Sequence, residues 1–167
     1  MSLEILEFGS EEQEEMADGL SGVIGLRLGR FLDEYVEAHN LGWVFNADTD
    51  FELPNIGKRR PDVAFCSFET LPTLPRTVIP VPPDLAVEIT SSRDEIDNSD
   101  KKLNEYRQVP LKLVWIVRPV GQIVEVYRAD GTASIITAEG VLKGDEVIKG
   151  FELHLSRLFT LPRQLIR

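Results

Sequence analysis

A mixed α/β domain, with a central β-sheet flanked by helices, is the fold class this sequence predicts, and three observations predict it. Between Leu20 and Val36 the apolar residues recur at three- and four-residue spacing, the mark of an amphipathic helix. Residues 84–90 and 111–117 are apolar almost throughout, as strands covered on both faces are. Between these two runs lies a polar, lysine-bearing stretch with helical spacing.

The elements follow in order. Ser10 and the Glu-Glu-Gln after it form a capping-box signature for a helix start. The apolar stripe Val23, Ile24, Leu28, Phe31, Leu32, Tyr35 and Val36 carries a helix to about His39, with Asn40 as its end. Gly25 and Gly29 on this helix suit the close approach of a neighbouring backbone, or of a partner helix in a homodimer. Residues 43–45 and 51–53 read as short strands joined by a polar turn, and Asn55-Ile56-Gly57 turns the chain into a strand over 63–68. Five prolines within 69–83 (Pro72, Pro75, Pro80, Pro82, Pro83) define an extended loop, because proline serves neither a central strand nor a helix interior. After the strand at 84–90 comes a polar loop over 91–98. Asn98 or Ser99 then caps a helix over about 100–108. Strands at 111–117, 123–127 and 134–137 complete a meander, and the apolar tail around Phe151–Phe159 docks on the body. The order is α-β-β-β-loop-β-α-β-β-β in one domain spanning 20–167, preceded by an acidic arm or helix over 1–19.

Composition narrows the function. A chain of 167 residues, 43% of them hydrophobic, supports a single core. No apolar run approaches the roughly 18 residues that span a bilayer, and the acidic N-terminus does not resemble a signal peptide, so a cytoplasmic protein without a membrane partner is expected. The lone Cys66 excludes an internal disulfide and a cysteine-rich zinc site, and it reads as a small core residue. His39 and His154 are too few and too scattered for a histidine metal centre. The net charge of −10 argues against tight nucleic-acid binding, which rests on neutralising phosphates. Seven of the 28 acids and none of the 18 bases fall within residues 1–18, so the remainder is nearly balanced, with basic clusters at Lys58-Arg59-Arg60 and Lys101-Lys102.

Two acids stand inside predicted strands: Asp62 in Arg60-Pro61-Asp62-Val63 and Glu88 in Asp84-Leu85-Ala86-Val87-Glu88-Ile89-Thr90. A buried carboxylate is costly unless something neutralises it, and a divalent cation is one such neutraliser. Alternation puts Asp84, Ala86 and Glu88 on one face, leaving room for an ion beside small Ala86. If the strand bearing Asp62 pairs with this one, both carboxylates converge on the same Mg2+ or Mn2+, cations suited to an all-oxygen site that keeps several waters. On the following helix Leu103 and Tyr106 define the buried side. At about 100° per residue Lys102 lies roughly 70° from its centre and Lys101 roughly 170°, so Lys102 reaches toward the sheet while Lys101 faces solvent. Two readings stand on these residues: a metal pocket, or a structural ion pair between the strand glutamate and a basic side chain. No phosphate-binding glycine loop, nucleophile elbow or paired histidine offers a competing chemistry.

Taken together, Arg60-Pro61-Asp62-Val63, Pro83-Asp84-Leu85-Ala86-Val87-Glu88-Ile89, Lys102-Leu103-x-x-Tyr106, Val114-Trp115-Ile116-Val117 and the closing Gly150-Phe151-x-Leu-x-Leu resemble the Uma-two family of restriction-endonuclease-like proteins. The resemblance spans about residues 20–159 and leaves out a longer N-terminal region that many members carry. It implies the PD-(D/E)xK nuclease superfamily and its restriction-endonuclease-like core. By that similarity Asp62 and Glu88 are the motif acids and metal ligands. Thr90 stands where the superfamily usually has lysine, and Lys102 on the next helix supplies the cation instead. Glu14 or Glu15 would match the early helical glutamate of the family. What this implies is a Mg2+-dependent DNA endonuclease with Asp62, Glu88 and Lys102 as catalytic residues and weak non-specific DNA affinity. Tyr106 would hold the lysine or pack, and Asp84 would support the site or the strand. The alternative is a catalytically silent, nuclease-like scaffold that binds a partner.

Overall fold

The computed structural model describes residues 18–90 and 94–162. Helix α1 (Gly19–Ala38) opens at Asp18, whose carboxylate accepts the Ser21 amide at 2.7 Å, and it closes before Asn40, which takes a positive φ of 51°. The predicted start at Ser10 and the acidic run over 1–17 lie outside the described residues. Strands β1 (Gly42–Asn46), β2 (Phe51–Leu53), β3 (Gly57–Arg59), β4 (Val63–Ser67) and β5 (Leu85–Ile89) follow. Helix α2 (Asp94–Tyr106) leads to β6 (Leu113–Arg118), β7 (Ile123–Arg128), β8 (Ala133–Ile136), β9 (Val141–Lys143) and β10 (Glu152–His154), and the short helix α3 (Leu155–Phe159) ends the body.

Six strands form one mixed sheet in the order β1-β4-β5-β6-β7-β8. All neighbours are antiparallel except β5 and β6, which run parallel and are joined through α2. A parallel pair needs such a crossover, so α2 is committed to the layer beside these two strands. The alternation read from the sequence holds. Leu85, Val87 and Ile89 point into a core shared with α1, β10 and α3, whereas Ala86 joins Leu103 and Tyr106 in a second core on the opposite face. Every residue of β5 is buried, as its unbroken apolar run requires. Cys66 is buried in the second core, and burial pushes its thiol up to about 12, so it behaves as a packing residue.

Departures from the expected elements have a common cause. β3, β9 and β10 span three residues each and carry little alternation, so the turn at Asn55-Ile56-Gly57 and the docking tail hide short ladders. α2 begins at Asp94, within the expected loop over 91–98, and Asn98 and Ser99 lie inside it instead of capping it. Its first turns carry only Ile96 as an apolar residue, too few to show a helical period. The proline-rich segment is irregular as expected, anchored where Ile79 bonds Asp50 and Glu52.

Candidate active site

Asp62 directly precedes β4, and Val63 is in register with Val87. The Asp62 amide donates to Val87 O at 2.9 Å, and its carboxylate Oδ2 accepts the Ile89 amide at 2.7 Å. Asp62 therefore grips the residues on both sides of Glu88. Proline at 61 lacks an amide and suits this strand entry.

Glu88 is 3% exposed. Its Oε2 lies 3.0 Å from Lys102 Nζ, and its Oε1 accepts the Tyr106 hydroxyl at 2.5 Å. Burial drives the Glu88 carboxyl upward, the Lys102 charge draws it down, and the nearby Asp62 charge raises it again, leaving it at about 7. Tyr106 is raised as well, by its own burial first and then by the glutamate charge. Lys102 sits at the edge of the packed side of α2 while Lys101 is exposed, as the helical geometry predicts.

These groups open on a cavity of about 610 Å³ bounded by α1, the β1–β2 turn, the ends of β4 and β5, and α2. Asp62, Glu88 and Lys102 line it together with Gly25 and Gly29. The two glycines face strand side chains, not a backbone. A Cβ on Gly25 would stand 3.1 Å from Ile89 Cδ1, and one on Gly29 would stand 3.9 Å from Val63 Cγ2.

The remaining expected residues divide. Tyr106 touches the site, although it bonds Glu88 and not the lysine. Thr90 lines the cavity, but its hydroxyl lies 3.5 Å from Val117 O and 3.4 Å from Arg118 Nη1, so it faces the β6 end. Asp84 is at the far end of β5. There it accepts the Ser67 amide (2.7 Å), the Thr70 hydroxyl (2.8 Å) and Lys112 Nζ (2.9 Å). Its burial favours the neutral acid, yet these bonds outweigh it and keep the carboxyl below its ordinary value. Asp84 thus fixes the turn after β4 and takes no part in the cavity. Glu14 and Glu15 lie outside the described residues. Sequence reasoning missed Ser99, buried at 2%, and Arg30 and Asp33 of α1, all of which line the cavity. Ser99 shares one helix face with Lys102 and Tyr106 by three- and four-residue spacing, a signal that could have found it.

The donor set fits a hard cation. Two carboxylates supply oxygen only, each oxygen has lone pairs beyond the bonds described, and the cavity has space for water ligands. Among the described residues no group of three or more His, Cys, Asp or Glu gathers around one point, so waters would complete the coordination.

A six-stranded mixed sheet, helices on its faces and an acid pair at one sheet end define a restriction-endonuclease-like α/β domain. The chain belongs to the Uma2 family, described as "Putative restriction endonuclease", whose model matches residues 4–156. In fold it is similar to a crystal structure titled as a putative nuclease belonging to DUF820 from Anabaena variabilis. The TM-score is 0.72 at 16% identity, covering 86% of this chain and 82% of that one. No curated protein matches the chain.

Proposed function

We propose that the protein is a Mg2+- or Mn2+-dependent endonuclease that hydrolyses phosphodiester bonds of DNA at the Asp62–Glu88–Lys102 cluster. Membership of a family described as "Putative restriction endonuclease" supports the reaction class, and the putative nuclease of similar fold agrees with it. The single observation that carries the site is the convergence of two carboxylates and one ammonium, from the entry to β4, from β5 and from α2, on one cavity. Asp62 and Glu88 would hold the cation. Bound there, it would polarise the scissile phosphate and lower the pKa of the attacking water. Lys102 Nζ, within hydrogen-bond reach of Glu88, orients that water and offsets negative charge growing on the phosphoryl oxygens. Tyr106 holds the glutamate in the rotamer that faces the cavity.

Nicking of supercoiled plasmid in the presence of Mg2+ tests this reading. Wild type is expected to nick, whereas Asp62→Ala and Lys102→Ala lose activity by at least about a hundredfold, the scale of removing one electrostatic or acid–base contributor. Equal activity in all three proteins would remove the assignment.

One observation favours a second reading. Glu88 already has Lys102 and Tyr106 as partners, the structural ion pair that a silent, partner-binding scaffold would retain. Calorimetric titration separates the two, since the scaffold binds neither Mg2+ nor Mn2+.

A further inference from the structure

Among the described residues some arginines hold a carboxylate, whereas Arg27, Arg30, Arg76, Arg107 and Arg157 do not. Arg59, Arg60, Arg118 and Arg128 each hold a carboxylate, at 2.6, 2.5, 2.6 and 2.6 Å. The basic cluster visible in the sequence at 58–60 is therefore largely occupied by Glu105 and Asp50. Arg27, Arg30 and Arg157 make no ion pair among the described residues. Instead their guanidinium groups surround one ring, that of Phe31, at 6.0, 4.7 and 4.8 Å from its centroid.

Arg27 has a structural task. Its Nε donates to Leu158 O at 3.2 Å and its Nη2 to Arg157 O at 2.5 Å and Thr160 O at 3.4 Å, clamping the end of α3 onto α1. That clamp holds Arg157 against the same Phe31 ring on which Arg30 stacks. Both are exposed, and Arg30 also lines the cavity that holds Glu88 and Lys102.

We propose that Arg30 and Arg157, stacked about Phe31, form a phosphate-binding surface for the backbone of a nucleic-acid strand that runs into the cavity. The proposal rests on the nuclease reading and supplies what that reading lacks, a way for a chain of net charge −10 to hold a polyanion. Guanidinium forks match phosphate oxygens two at a time. The aromatic ring restrains both side chains beforehand, so less freedom is lost when they bind. Among the described residues neither arginine has an ion pair to break first. Asp33 and Glu34 of α1 are close in sequence but pair with neither of them. Two elements far apart in sequence build the patch, and for that reason no basic run announces it.

Fluorescence anisotropy with labelled duplex DNA and with the corresponding single strand, in EDTA so that binding is read without hydrolysis, tests the surface. The variant is Arg30→Gln/Arg157→Gln, and Arg76→Gln, at another exposed arginine without an ion pair among the described residues, is the control. The double variant is expected to bind about tenfold more weakly at low salt and to lower the slope of log K against log salt by about 2, one phosphate per arginine. Arg76→Gln should bind as wild type does. An unchanged slope in the double variant, or no binding by wild type to either probe, overturns the proposal. The two readings fail separately: nicking by wild type with arginine-independent binding removes the surface alone, and arginine-dependent binding without nicking removes the hydrolysis alone.

Discussion

Glu88 concentrates the electrostatics of the molecule in one carboxyl. Its folded value of about 7 lies above the ordinary 4.5, so between those values the folded chain binds a proton that the unfolded chain has released. Stability without added metal therefore falls as pH rises through that window. Lys102 limits the fall by compensating the ionised form. Replacing it with methionine pushes the Glu88 carboxyl further up and extends the decline to higher pH. At pH 9 Lys102→Met should cost about 1–3 kcal/mol, the penalty of a buried unpaired carboxylate reduced for the solvent that reaches the lysine. At pH 5.5, where Glu88 keeps its proton, the cost should shrink toward zero. Urea unfolding in EDTA at the two pH values reads this directly, and equal costs at both would show that the pair carries no such charge. At this scale the sequence was informative about the helix: the angle of Lys102 from Leu103 and Tyr106 separated it from Lys101. For Asp84 the shared strand face misled, because four residues along a strand span about 13 Å, which carries Asp84 to the far end of β5.

At the scale of elements, the acid pair depends on how β4 is held from its other side. β1 runs antiparallel to β4, with Gly42 opposite Ser67. A Cβ on Gly42 would stand within about 2 Å of Cys66 O, a backbone atom that cannot swing aside. Gly42→Ala should thus prise β1 from β4 and destabilise the fold by about 2–3 kcal/mol, at the upper end of overpacking costs. A lowered thermal midpoint together with accelerated amide exchange over 63–67 would register it, and an unshifted midpoint would contradict the close approach. What made β5, β6 and α1 legible was amplitude. Each buries one or both faces over at least five residues, enough for a period to emerge. β3 pairs with β2 and β10 with β9, both near in sequence, but none of β3, β9 and β10 has two apolar residues on one face, as β2 has in Phe51 and Leu53, so no period stands out over three residues. The pairing of β4 with β5, on which the site depends, was an assumption from the sequence, since register is written in cross-strand contacts and not in either strand alone.

The whole molecule is a sheet with two unequal covers. α1, β9, β10 and α3 close one face, while α2, the β2–β3 ribbon and the proline-rich loop close the other. Phe151 belongs to the first cover, edge-on to Tyr35 at 5.6 Å and stacked on Trp115 at 6.1 Å. Phe151→Ala should cost about 3–5 kcal/mol in urea unfolding and flatten the near-ultraviolet dichroism of Trp115. A cost below 1 kcal/mol would mean that the tail is a loose appendage. No helix among the described residues is long and apolar enough to cross a membrane, so the exposed leucine and valine side chains of α1 do not mark a span. The β5–α2–β6 crossover has a wider consequence. Glu88 and Lys102 belong to one continuous excursion of the chain, fourteen residues apart, whereas Asp62 arrives from elsewhere. A fluctuation that lifts α2 away would part ammonium from glutamate in a single movement and leave the aspartate where it is. The cluster would thus come apart in a small local opening, long before the body of the molecule melts.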